Sequence, residues 1–214
     1  MTRQGFFIAI EGGDGTGKST QVQILKDWLE STGHTVRVFR DPGTTATGEA
    51  IRSILLDQTD WHIGAVAEMF LFMAARAQLV EEAILPALAR GEIVLQDRYL
   101  LSTVVYQGYA GGVPLTDVWA AGRLAIGSAL PDLTFVLDLS PQLARERLQR
   151  PLDRMELKGK EYHDRVRDGF LACARLWRET FPTGEICVLD ANRSAIELAK
   201  RIREEVEKFA LQRK

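Results

Sequence analysis

Cysteine is scarce in this chain of 214 residues: Cys173 and Cys187 are the only two. Two thiols make neither a disulfide scaffold nor a four-thiolate zinc site, and they read as small buried hydrophobes in a reducing compartment. Long apolar runs are missing as well. The first run, 6–10, is too short for the core of a signal peptide and has no small-residue cleavage site after it. The longest, 63–77, is broken by Glu68 and Arg76 and falls short of a membrane span. A cytoplasmic protein without membrane association is expected. Nor is there an excess of charge: 27 Lys and Arg stand against 29 Asp and Glu, for a formal net charge of −2. A nucleic-acid binder usually shows its basic face in that sum, so nucleic acid is not an expected partner. Within the basic residues, lysine is the scarce one, with 7 Lys against 20 Arg. Arginine suits planar, bidentate grip on phosphate and carboxylate, so where these side chains sit matters.

What is present is ordinary globular composition, 46% hydrophobic and 26% charged, without internal repeats or low-complexity tracts. The length fits one domain over 1–214. Short runs rich in Val, Ile, Leu and Phe at 6–10, 35–40, 92–97, 133–138 and 185–189 read as strands covered on both faces. Helical stretches are expected at 18–31, 48–56, 65–89, 116–127, 141–150, 161–180 and 195–211, with Gly33 and Gly91 placed to cap two of them. Alternation of this kind predicts an α/β fold: a five-stranded parallel sheet with right-handed crossovers and helices on both faces. Ligands of such sheets bind at the carboxyl ends of the strands.

After the first strand comes Gly12-Gly13-Asp14-Gly15-Thr16-Gly17-Lys18-Ser19-Thr20, which fits G-x-x-x-x-G-K-[ST] between a strand and a helix. Glycines let the backbone curl so that N–H groups point at phosphate oxygens, and the helix N-terminus adds its positive dipole end. In this P-loop NTPase reading Lys18 reaches the β- and γ-phosphates of ATP and the Ser19 hydroxyl ligates Mg²⁺. Asp14 is out of place among phosphates. It belongs either with a hydroxyl donor such as a sugar or with a cation, or in solvent as a loop acid that shapes the turn. Strand two ends in Arg40-Asp41-Pro42-Gly43 and strand three in Asp97-Arg98-Tyr99. Asp97 is placed to orient Mg²⁺ through water. Arg40 and Arg98 are either aimed at a bound anion or engaged in surface ion pairs.

Phe72 and Arg76 are four residues apart and share a helical face. An aromatic plane beside a planar donor suits a nucleobase; core packing is the alternative for Phe72, whereas Arg76 in an apolar stretch needs a partner. Ser102, Thr103 and Gln107 supply hydroxyls and an amide about one helical turn apart, which suits the edge of a base. From Arg145 to Arg178 there are eight arginines, with Pro151 breaking a helix among them. Residues 147–160 read as a lid that brings positive charge to a transferring phosphoryl group and excludes water. The alternative is an amphipathic helix of Glu–Arg pairs, as expected for Arg175 and Arg178.

Taken together, these segments resemble bacterial-type thymidylate kinases. The resemblance covers nearly the whole chain. It rests on Phe39-Arg40-Asp41-Pro42-Gly43, Phe72 with Arg76, Asp97-Arg98-Tyr99 with Ser102 and Tyr106-Gln107-Gly108, Leu152-Asp153-Arg154-Met155-Glu156 and His163-Asp164-Arg165-Val166-Arg167. It implies transfer of the ATP γ-phosphoryl group to dTMP, with Mg²⁺, in a homodimer. It implies that Phe72 stacks on thymine, that Arg76 bonds its exocyclic oxygen, and that Thr103 and Gln107 line the base edge. Asp14 would take the 3′-hydroxyl, Tyr106 would crowd the sugar 2′ position, and Arg98 with Arg40 would hold the 5′-phosphate. The family draws a catalytic arginine from the P-loop or the lid; with Gly15 in the loop, Arg150 and Arg154 are the candidates. The chain departs from the family's Arg-Glu-Pro-Gly-Gly-Thr after strand two, with Arg40-Asp41-Pro42-Gly43-Thr44-Thr45 in its place. Two other activities compete: a kinase for another nucleotide or nucleoside, and a P-loop switch, which would have no use for Phe72, Arg76 and Gln107.

Overall fold

The computed structural model describes residues 5–57, 61–149 and 151–212. Five strands form one sheet in the order β2-β3-β1-β4-β5: β1 (Phe6–Gly12), β2 (Val36–Arg40), β3 (Ile93–Asp97), β4 (Leu133–Asp138) and β5 (Glu185–Asp190). Every pairing is parallel, with Ile8 beside Leu95 and Leu133 in the middle of the sheet. The three inner strands are almost continuously apolar because they are covered twice. Phe7, Ala9, Val94 and Val136 point into one core and Ile8, Ile10, Leu95 and Phe135 into the other. The edge strands β2 and β5 carry exposed positions instead.

One face of the sheet is covered by α1 (Lys18–Ser31) and α9 (Ala195–Gln212). Most of the other helices cover the opposite face, including α3 (Ala65–Leu79), α6 (Leu115–Ile126) and α8 (Lys160–Thr180). The short α2 (Ala46–Leu56) packs on α3 and is capped by Thr45, whose side chain accepts from Gly48 N at 2.9 Å. The expected helix at 65–89 is helical throughout. It contains a wide π-type stretch, Val80–Ile84, before α4 (Leu85–Ala89). Pro86 has no N–H to return to the preceding turn, and the widened turn accommodates that loss.

Two expectations need correction. Residues 100–109 are helical, as α5 (Leu100–Thr103) followed by the π-type stretch Val104–Tyr109, a segment whose side chains are spaced by a helical turn in the sequence but which is not among the expected helices. The run Thr103-Val104-Val105-Tyr106 favours strand, but its surroundings override that preference. The expected helix at 141–150 is only α7 (Pro141–Glu146). Pro151 cannot donate to the Arg147 carbonyl, and the chain peels away through tighter bonds from Arg147 N and Leu148 N to the carbonyls three residues back. No helix among the described residues is long and apolar enough to cross a membrane.

Candidate active site

The P-loop leaves β1 at Gly12 and closes at Lys18, the first residue of α1. Two of its glycines are required by space and angle. At Gly12 (φ 137°) a Cβ would lie 2.6 Å from Leu137 O, and at Gly15 (φ 79°) 2.1 Å from Ala144 O. Thr16 Oγ1 and Lys18 Nζ both donate to Gly13 O, at 2.9 and 2.7 Å. Lys18 is buried. Burial and then the Arg98 charge push its ammonium down to about 8, against the pull of nearby acids. Ser19 Oγ donates to Asp97 Oδ2 at 2.6 Å, bringing two hard oxygens together beside the loop.

Arg98 stands at φ 65° immediately after β3, a left-handed backbone costing about 1–2 kcal/mol in a non-glycine residue. The surroundings hold it there. Arg98 N donates to Ile10 O, and its guanidinium donates to Gly12 O at 3.0 Å, Ser102 Oγ at 3.2 Å and Asp14. Glu11, buried at the end of β1, accepts from Tyr99 N, Ser102 N and Ser102 Oγ, and so ties the start of α5 to the sheet. Asp14 is not a solvated loop acid. It faces Arg98 and accepts from Tyr106 Oη at 2.8 Å. Burial alone would raise its carboxyl, but Arg98, Lys18 and Tyr106 hold it well below the carboxylate range.

A cavity of about 630 Å³ runs from the P-loop to Gln107. Half-buried Phe72 lines it beside Arg76, which is fully buried. Arg76 Nε donates to Asp41 at 2.6 Å, and Nη2 donates to Tyr99 O and Thr103 Oγ1 at 3.1 and 2.9 Å. Asp41, where the resemblance would have a glutamate, thus reaches the Arg76 guanidinium directly. Gln107 Nε2 donates to Glu68 at 2.8 Å.

Several cavity residues carry no motif. Arg52 on α2 faces the cavity with Arg40 and Arg98; burial and then the Arg40 charge disfavour its cationic form. Arg40 itself is half-exposed and pairs with Glu49 at 3.0 Å. At the other end, Arg147, Arg193, Ala195 and Leu198 complete the wall, with Arg147 donating to Ala191 O at 3.2 Å. The segment after β5 enters the cavity because of the sheet order, which no local pattern announces.

The structure does not bring Arg154 to the phosphate loop. Its backbone N–H bonds Leu56 O, Nε donates to Leu55 O at 2.7 Å, and Nη2 pairs with Glu68. Arg150 lies outside the described residues. The remaining expected side chains, Lys18, Ser19, Arg40, Asp97, Ser102, Thr103 and Tyr106, all line the one cavity.

This cavity joins a polyphosphate cradle to a second pocket with an aromatic wall and polar groups at its end. That is the form of a phosphotransferase with two nucleotide substrates. The family model for thymidylate kinase matches residues 10–202. Proteins named thymidylate kinase match over most of their length. The one from Caldanaerobacter subterraneus subsp. tengcongensis is 40% identical over 207 residues, covering 96% of this chain and 97% of its own. That of Clavibacter michiganensis subsp. michiganensis is 45% identical over 207 residues, 93% of each chain. That of Bifidobacterium longum is 43% identical over 213 residues, 96% of this chain and 99% of its own. The agreement of fold, cavity and sequence over nearly the full length shows that the chain belongs to the thymidylate kinase family.

Proposed function

We propose that the protein transfers the γ-phosphoryl group of ATP to the 5′-phosphate of dTMP, giving dTDP and ADP, chiefly by positioning two anions in line and neutralising them. The observation that carries this is the polarity of the base pocket. Arg76 has an N–H at Nη1 beyond the one shared with Met73 Sδ, and the Thr103 hydroxyl, which accepts from Arg76, keeps its proton to donate. Gln107 gives its NH₂ to Glu68 and keeps its oxygen as an acceptor. Donors beside an acceptor match the O4 and N3–H of thymine. They mismatch cytosine, which presents an amino group and a bare N3.

Phe72 stacks on the base. Arg98, with Arg52 and Arg40, holds the 5′-phosphate. Asp14 takes the 3′-hydroxyl with its remaining acceptor capacity, and Tyr106, bonded to Asp14, fills the space beside the sugar and favours deoxyribose. The adenine of ATP lies between Arg147 and the segment Ala191–Leu198, with its phosphates on the P-loop amides and Lys18. The acceptor phosphate is already an anion, so no general base is required. Residues 147–160 serve as a lid over this site; with Arg154 held by Glu68, Arg150 is the other arginine that the sequence offers for the transferring group.

A divalent cation fits the Ser19–Asp97 pair. Both donors are hard oxygens, and no cluster of three or more His, Cys, Asp or Glu among the described residues offers a complete protein cage, as suits Mg²⁺ held partly by phosphate and water. Ser19 and Asp97 would hold Mg²⁺ there, and the ion would supply positive charge to offset that of the polyphosphate. Asp97→Asn is expected to raise the Mg²⁺ concentration for half-maximal rate by about 10-fold or more, read from a rate titration with Mg²⁺ at saturating ATP.

Two exposed apolar side chains four residues apart on α3, Val66 and Phe70, support a homodimer built on that helix. Two cysteine thiols, Cys173 and Cys187, suit the cytoplasm, where ATP is available. A coupled ADP-release assay over a panel of nucleoside monophosphates tests the central reading. Turnover is expected to favour dTMP over dCMP by about 100-fold or more in kcat/KM. Equal use of all acceptors, or ATP hydrolysis unaffected by any of them, would overturn it.

A further inference from the structure

Glu68 is a buried acid on α3 whose carboxylate contacts neither the P-loop nor Arg98, Arg52 or Arg40, but two cations of the segment after Pro151. Its side chain is only 3% exposed, yet it has three partners. Oε1 accepts from Gln107 Nε2 at 2.8 Å and from Lys158 Nζ at 3.4 Å; Oε2 accepts from Arg154 Nη2. Burial pushes such a carboxyl up, but the Gln107 hydrogen bond and the two cations outweigh it and hold the group below its ordinary range. Glu68 is therefore ionised, and an ionised carboxylate can only accept.

That restriction matters because a glutamine amide is ambiguous. Turned over, it exchanges its donor face for its acceptor face with little change of shape. Beside an acceptor-only carboxylate the ambiguity disappears. The NH₂ must face Glu68, where it makes a charge-assisted bond, and the opposite orientation would set two oxygens against each other. The amide oxygen of Gln107 is then the group that remains for the cavity. Arg154 and Lys158, from the segment that follows Pro151, keep Glu68 ionised by pairing with it. Without them a buried acid would take up a proton, become a donor, and tolerate the turned amide.

We propose that Glu68 is a positioning residue that sets base specificity: by locking the Gln107 amide with its oxygen toward the base, it makes the pocket accept a pyrimidine protonated at N3 and reject one whose N3 is bare. The proposal rests on the base-pocket reading given above. It assigns to Glu68, which lies outside the cavity lining, the choice between 4-oxo and 4-amino pyrimidine nucleotides.

The test is the steady-state kcat and KM of the full chain for dTMP and dCMP, with ATP and Mg²⁺. In Glu68→Gln the neighbour is itself an amide and stabilises either orientation of Gln107. The ratio of kcat/KM for dTMP over dCMP is expected to fall about 10-fold or more, mainly through KM, with kcat for dTMP changed by less than about 3-fold. Because Glu68 acts through Gln107, the same substitution in a Gln107→Ala background is expected to move the ratio less than about 2-fold. A wild-type preference for dTMP that persists in Glu68→Gln overturns the proposal alone. A wild-type enzyme that uses dCMP as well as dTMP overturns the base reading and the proposal with it. If Glu68→Gln does not fold, Glu68→Asp keeps the charge but withdraws it by one methylene; a dTMP preference unchanged in that variant is equally fatal.

Discussion

Lys18→Ala lowers kcat by about 100- to 1,000-fold while the circular dichroism spectrum and unfolding temperature stay close to those of the parent chain. The ammonium sits behind the loop with its Nζ on Gly13 O at 2.7 Å, where ATP phosphates are to be bound. Removing it deletes a positive charge that acts most strongly on the charge developing during transfer, in a buried setting where water cannot replace it. The fold should tolerate the change, because a buried ammonium is a cost to the free protein, as its depressed affinity for a proton shows. The same depression makes a second readout available. With Lys18 at about 8 in the free protein, most of it is neutral at pH 9. Polyphosphate favours the charged form, so the affinity for a proton rises on binding and ATP binding takes up a proton at pH 9. At pH 7 the lysine is already charged and uptake is close to nil. Calorimetry at both pH values, in buffers of differing ionisation enthalpy, measures this directly. Uptake at pH 9 that survives in Lys18→Ala would mean that another group is responsible.

Asp41→Asn is the substitution expected to harm stability most. Asp41 and Arg76 pair at 2.6 Å with side chains 0% and 1% exposed. Neutralising one partner leaves a guanidinium buried without its counter-charge, which costs about 3–5 kcal/mol. For a chain of this size that corresponds to a fall of about 6–20 °C in Tm. Arg76 keeps the carbonyl of Tyr99 and the hydroxyl of Thr103, so its place on the base-pocket wall should survive at low temperature. The expected signature is a large loss of Tm with dTMP KM, measured well below the transition, changed far less. A Tm within about 1 °C of the parent would show that the pair contributes little beyond what its neutral replacement supplies.

How much of the site could be read in advance depends on how local each part is. The P-loop is a nine-residue stretch whose function follows from its own backbone. The glycines whose Cβ would strike Leu137 O and Ala144 O are recognisable by type and spacing alone. Arg98, Phe72, Arg76 and Gln107 belong to short patterns near strand ends or on one helical turn, and they meet in one cavity. Arg52 and the Ala191–Leu198 wall have no such pattern. They enter the site because α2 packs beside α3 and because β5 is the fifth strand in the sheet order. Residues 100–109 are absent from the expected helices for a different reason. Their β-branched and aromatic residues favour strand, yet Glu11, some ninety residues earlier, accepts the first N–H groups of α5 and starts a helix there.

Arg154 shows the limit most plainly. Its place in an arginine-rich segment after a helix break suits a group that swings onto phosphate. In the folded chain it is held by Leu55 O and by Glu68, residues 99 and 86 positions away. The sequence by itself determined the parallel α/β plan, the phosphate loop and the kinds of group that face two anions, because hydrophobic period, glycine geometry and charge type act over a few residues. Only the tertiary structure decided that Arg154 is tied to Glu68 and Arg76 to Asp41, and that the Gln107 amide gives its NH₂ to Glu68. Those outcomes depend on partners brought together from distant parts of the chain, in a low-dielectric interior where an unpaired charge or a mismatched amide is too costly to persist.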